Sequence, residues 1–221
     1  TGTVLIEGSA GMTVNSYVSV GFGGAGTMTI KDDGSFSNTD DFSVNESGDS
    51  PAVVTVQDTA SLTVARTLFV GRNDTRVGTL NVIGAAEVNQ TDPAYSFHVE
   101  PAGTGTLNIG GTATLNIGSN GGMVITNNAT GTGTVNLDGG TILTKKVSDN
   151  GGNSTFNFKG GVLKAATGSD LNFLSGLNTL DVHPGGAFID SNGETIAINQ
   201  SLGDQGGNVT KQGAGTLQLN A

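Results

Sequence analysis

The groups in this chain that could move a proton, hold a metal or attack a carbonyl are nineteen carboxylates, two histidines and nine Lys or Arg side chains; there is no cysteine. The carboxylates gather at Asp32/Asp33, at Asp40/Asp41, and at Asp170, Asp181 and Asp190. Two carboxyls held about 5–9 Å apart across a sugar would cleave a glycosidic bond. An elimination would add a base to take the proton and a cation such as calcium to acidify it. Bases are sparse, and Lys145/Lys146 fall in a turn or second strand. The plainer reading makes these acids solvated turn residues that keep the chain soluble. His98 and His183 lie far apart without ligand spacing around them. Alternation in Tyr95-Ser-Phe-His-Val-Glu100 turns His98 outward, with Phe97 and Val99 inward. No nucleophile motif, phosphate loop or zinc motif is present. We therefore expect no cofactor and no catalytic residue. Structural calcium is the one ion the sequence admits, at the acidic turns 73–75 and 148–150, whose oxygens suit it. The acidic nonapeptide of calcium-binding β-rolls is missing.

Composition narrows what must position these groups. Aromatics make up 5% and charged residues 13%, against 37 glycines, where ordinary domains carry roughly 25% charge. The core must come from Val, Leu, Ile and a few Phe, and the surface from Thr, Ser, Asn and Gly, which are strand and turn formers. A net charge of −10 repels phosphate backbones and anionic headgroups, so nucleic acid is not an expected partner. No apolar run reaches the length of a membrane span, so membrane insertion is not expected in this segment.

One phrase recurs: Gly-Thr, then apolar, polar, apolar. It reads Gly26-Thr-Met-Thr-Ile30, Gly78-Thr-Leu-Asn-Val82, Gly105-Thr-Leu-Asn-Ile109, Gly133-Thr-Val-Asn-Leu137 and Gly215-Thr-Leu-Gln-Leu219. Looser copies start at Gly2, Ala52, Ser154 and Asn178. The nine copies are separated by 24, 26, 26, 27, 28, 21, 24 and 37 residues, the last gap leaving room for a partial coil around Thr195-Ile-Ala-Ile198. Each repeat holds three short strands: 79–82, 86–89 and 95–100 in one, 53–56, 61–64 and 67–70 in the one before. The spacing predicts an all-β fold, a right-handed parallel β-helix of about nine three-stranded coils, with residues 1–221 as a single β-solenoid domain. An antiparallel sandwich also uses short strands, but does not require a phrase returning in register. At about 4.8 Å per coil the rod would be about 40–45 Å long.

Period-2 alternation sends Leu107 and Ile109 inward and Thr106 and Asn108 outward. The same rule lines up Thr79/Asn81, Thr106/Asn108, Thr134/Asn136 and Thr155/Asn157, with Thr179/Asp181 and Thr216/Gln218 continuing the column. These eight Thr and Asn residues are the candidate binding surface. Stacked Asn side chains can hydrogen-bond along such a ladder. A flat Thr column would alternatively meet an ice lattice, although uneven steps and the intruding Asp and Gln count against it.

The stretch Val209-Thr-Lys-Gln-Gly-Ala-Gly-Thr-Leu-Gln-Leu219 resembles the autotransporter-associated β-strand repeat, and Gly139-Gly-Thr-Ile-Leu, Gly160-Gly-Val-Leu-Lys164 and Gly185-Gly-Ala-Phe-Ile-Asp190 resemble its spacer strands. The resemblance implies a β-helical segment of a longer bacterial cell-surface protein, extracellular, and often an adhesin or stalk. The expected function is a non-catalytic structural or adhesive module, a stiff rod associating with itself, end to end or laterally, or with glycan. The alternatives are a polysaccharide lyase or hydrolase on the same fold, and an ice- or surface-binding module.

Overall fold

The structure, a computed structural model, describes residues 1–47, 49–73 and 75–220. It is an all-β solenoid in which every recorded strand pair is parallel. The chain winds over three faces. The first carries Gly2–Ile6, Gly26–Ile30, Ala52–Val56, Val77–Val82, Asn153–Phe158, Thr179–Val182 and Gly203–Asp204; the second carries Gly11–Val14, Ser35–Asn38, Ser61–Val64, Glu87–Gln90, Val162–Ala165, Ala187–Asp190 and Val209–Gln212. Two longer strands, Thr104–Ile117 and Thr132–Thr144, run through the corner and serve both faces. The third face is a nine-stranded stack from Val18–Val20 through Phe42–Val44, Leu68–Val70, Phe97–Glu100, Met123–Thr126, Val147–Ser148, Leu174–Ser175 and Thr195–Ile198 to Thr216–Leu219. The strands of the described residues therefore stack in nine layers, and the expected parallel β-solenoid is present.

The repeat phrase produces this arrangement directly. Its apolar positions stack in one column, with Leu80, Leu107, Val135, Phe156 and Leu180 in successive coils, all buried. A single continuous core runs from Ile6 to Ile198. Each Val, Leu or Ile removed from water contributes roughly 1.5–3 kcal/mol, which is what holds a chain so poor in aromatics together. Five ion pairs occur among the described residues: Glu7–Lys31, Asp40–Arg66, Glu46–Arg72, Asp49–Arg76 and Lys164–Asp190. Each joins one coil to the next.

The corners explain the polar residues that are not outward. Between the first and second faces the backbone enters the left-handed region in each of the first six coils, at Gly8, Asp32, Asp58, Gly84 and Gly111, and at both Gly139 and Gly140. Glycine takes that conformation freely, and Asp tolerates it better than most residues. The Asp side chain adds a bond: Asp32 Oδ2 accepts from the Gly8 N–H at 3.1 Å and Asp58 Oδ2 from the Asp32 N–H at 3.2 Å. At the second corner the buried Asn38 amide donates to the Asp40 and Asp41 carbonyls, and Gln90 donates to the Asp92 carbonyl while accepting from the Ser119 N–H.

One copy of the phrase lies elsewhere than expected. Thr216–Leu219 stacks under Thr195–Ile198 on the third face, with Thr216 beside Thr195 and Leu219 beside Ile198. The ninth coil's first-face strand is instead Gly203–Asp204, paired with Asp181 and Val182. Alternation specifies which side chains point inward but not which face a strand occupies. The 37-residue gap holds no partial coil: Thr195–Ile198 is the third-face strand of the eighth coil, and the chain returns to the first face at Gly203. Thr216 and Gln218 consequently do not belong to the Thr/Asn column.

Candidate binding face

The first face brings all eight predicted surface residues together. Thr79, Thr106, Thr134 and Thr155 are register partners in adjacent coils, as are Asn81, Asn108, Asn136 and Asn157. All eight are half-buried. The Asn amides form one directed chain. Asn157 Nδ2 donates to Asn136 Oδ1 at 3.0 Å, Asn136 to Asn108 at 2.9 Å, Asn108 to Asn81 at 2.8 Å, and Asn81 to Thr55 Oγ1 at 3.2 Å. An amide offers two N–H donors and two lone pairs. The chain uses one donor and one acceptor of each inner Asn, leaving the others to the outside.

The ladder ends where its chemistry runs out. The next residue in the column is Asp181, and a carboxylate cannot donate to Asn157. His183 Nε2 lies 3.2 Å from Asn157 Oδ1 instead, and Asp181 faces the Gln205 amide at 3.4 Å. A second, shorter ladder on the neighbouring face joins Asn116 to Asn89 at 2.8 Å.

Beside the ladder, at the corner, is a notch that the sequence reading did not single out. It measures about 230 Å³ and is lined by Ile83, Asn108, Gly110, Asn136, Asp138 and Lys159, with Ile109. Gly110 is the register partner of Asp138, and Ile83 and Lys159 follow their first-face strands in the coils on either side. Every Gly in this chain invites a turn reading, which concealed a position where glycine makes a space instead.

The other candidate groups are scattered. His98 does face outward, but it lies flat on Phe69, with ring centroids 5.5 Å apart and planes at 6°. Burial pushes its imidazole down to about 4, so it is neutral at physiological pH. Arg72 covers Phe69 at 4.4 Å, lies 5.8 Å from the Tyr17 ring, and pairs with Glu46 at 3.2 Å. This third-face cluster was not legible beforehand, because its members come from separate coils and follow no repeated phrase. Of the acids, Asp32 and Asp58 cap the corner, Asp33 accepts from Thr59 Oγ1 at 2.6 Å, and Asp41 accepts from the Thr67 N–H at 3.0 Å. The backbone N–H of Asp41 and the Arg66 guanidinium hold the Asp40 carboxyl below its usual range. Asp170 accepts from the Asn172 N–H. Lys145 Nζ reaches Asn120 Oδ1 at 2.6 Å. In the two acidic turns, Asp149 accepts from Thr126 Oγ1, while Asp74 lies outside the described residues. No group of three or more His, Asp or Glu poised for a metal occurs among the described residues, and no helix there is long and apolar enough to cross a membrane.

Comparison with protein-family models, with curated proteins and with solved structures returns no match.

Proposed function

We propose that this chain is a non-catalytic structural or adhesive module, a stiff rod from an extracellular bacterial surface protein of the kind its autotransporter-like repeats suggest. The observation that carries the reading is the continuity between coils. Backbone ladders run along all three faces, an amide chain spans Thr55 to Asn157, and each ion pair joins neighbouring coils. Bending or stretching the rod means breaking these contacts together, as expected of a solenoid whose units depend on their neighbours.

The engagement of the carboxylates favours a non-catalytic role. Asp32, Asp33, Asp41 and Asp58 accept from backbone or hydroxyl donors, and Asp40 and Asp190 pair with Arg66 and Lys164. Such groups stabilise corners and hold coils together. Self-association, end to end or lateral, suits a rod of parallel coils, because strand edges left open on such a rod take up further strands readily. Repeated head-to-tail contact of this kind builds filaments rather than closed rings.

Electron microscopy and light scattering over a dilution series test both parts. The expected result is rods of about 40–45 Å that lengthen with concentration. Globular particles would refute the rod, and unchanged short rods at every concentration would refute self-association while leaving adhesion in place.

A further inference from the structure

We infer that the notch at Gly110 is a subsite for a neutral pyranose sugar. The key observation is what the glycine does there. Neighbouring Gly111 and Gly139 have left-handed φ values of +68° and +88°, and a Cβ on them would lie 2.6 Å and 2.7 Å from a backbone carbonyl oxygen. Gly110 has no such φ, and a Cβ built on it meets only the Asp138 carbonyl at 3.4 Å and Ile83 Cγ2 at 3.6 Å, ordinary contact distances. Neither backbone conformation nor crowding explains the missing side chain. What its absence creates is the space between Ile83 and Asp138.

The lining matches the two kinds of surface that a pyranose presents. Ile83 is 39% exposed and offers an apolar wall to a C–H face. On the other sides stand Asp138, which accepts hydrogen bonds, Lys159, which donates them, and the outward N–H and lone pair that the ladder leaves on Asn108 and Asn136. Convergent donors and acceptors around a small apolar patch are the usual composition of a ligand site. Neither Asp138 nor Lys159 forms an ion pair among the described residues, so both are available to hydroxyl groups. The opposed charges cancel locally, and the net charge of −10 disfavours an anionic sugar approaching from a distance. The ladder contributes rigidity: its inner amides are fixed in place before any ligand arrives, which lowers the cost of ordering them on binding. The proposal names the ligand for an adhesive role but does not depend on self-association.

The test is titration of the purified chain with the methyl glycosides of glucose, galactose and mannose, followed by two-dimensional NMR of the Asn side-chain amides. At least one sugar should move the Asn108 and Asn136 signals saturably, with a Kd of about 1–10 mM, as expected for one small shallow site. Gly110→Ile fills the notch without a backbone clash and should abolish those shifts while leaving the melting temperature unchanged. Asp138→Asn, at an exposed position, should weaken binding by about tenfold or more; it serves as the second probe should the isoleucine variant fold poorly. The proposal is overturned if no glycoside in the panel shifts these amides. It is equally overturned if a folded Gly110→Ile binds as well as the parent.

Discussion

The first and third faces of this rod solve the same problem, joining each coil to the next, by different means. On the first face one residue type repeats, so Asn81, Asn108, Asn136 and Asn157 form a continuous amide chain. On the third face the corresponding column is mixed, running from Ser43 to Phe69 to His98 to Val124 to Ser148 in successive coils. Its contacts are individual: an aromatic stack, a cation over a ring, and ion pairs at the adjoining corner. A repeated residue gives cooperative and replaceable links, whereas unlike residues give local ones whose strength depends on burial. The difference is open to measurement, because the two designs respond differently to pH, to substitution and to salt.

The largest effect belongs to His98. Its folded value is about 4 and its unfolded value about 6.5. Between these values the unfolded chain binds a proton that the folded chain does not, so stability falls as the pH drops from 6.5 to 4 and levels off below. At about 1.36 kcal/mol per unit, the loss is about 3 kcal/mol. Urea unfolding on either side of this window should show it as a difference between the parent and His98→Phe, which keeps the stack on Phe69 and cannot titrate. Equal pH dependence in the two proteins would mean that the ring is better solvated than its stacking implies.

The ladder comes next. Asn108→Leu removes a bond on each side and leaves two half-buried polar atoms, a cost of about 1–2 kcal/mol. Asn108→Asp should cost less, although it also loses a donor. Asn81 can turn its amide over, donate to the new carboxylate, and accept from the Thr55 hydroxyl in place of donating to it. That repair is available only in a chain of like groups. Denaturant midpoints of the two variants decide the point; if Asp is the more damaging, the ladder is not a reversible unit.

The legible parts of this molecule were those that repeat. Leu107 and Ile109 inward, Thr106 and Asn108 outward, and the order of coils all followed from one phrase and the period of a strand. The placement of Thr216–Leu219 did not follow, since its alternation suits any of the three faces and only the length of chain before it selects one. The notch was hidden for a related reason. Gly110 and Gly111 look alike in sequence, yet one is required by φ and the other by nothing in the backbone. Phe69, Arg72 and His98 come together only through the register of three different coils. No local pattern announces such a cluster, and it depends on how many residues each corner consumes.

Arg72 offers a smaller and more local test. Its guanidinium lies over Phe69 and pairs with Glu46, so Arg72→Gln should cost about 1 kcal/mol. Most of that cost should persist in high salt, which screens the ion pair but not the contact with the ring. A loss that vanishes in salt would assign the whole effect to Glu46.

The smallest effect is expected where a link is not repeated and hangs on a long flexible side chain. Lys164 Nζ sits 3.3 Å from Asp190 Oδ2 on the second face, and the lysine side chain is 35% exposed. Fixing a long flexible chain in water offsets most of the Coulombic gain, so Lys164→Gln should cost about 0.5 kcal/mol or less, and salt should erase even that. The comparison with Asn108→Leu is then direct, since both positions join neighbouring coils and differ in what surrounds the joining group. If the lysine variant proves as damaging as the leucine one, linkage between coils would be a property of the solenoid at large, and the amide chain would have no special part in its stiffness.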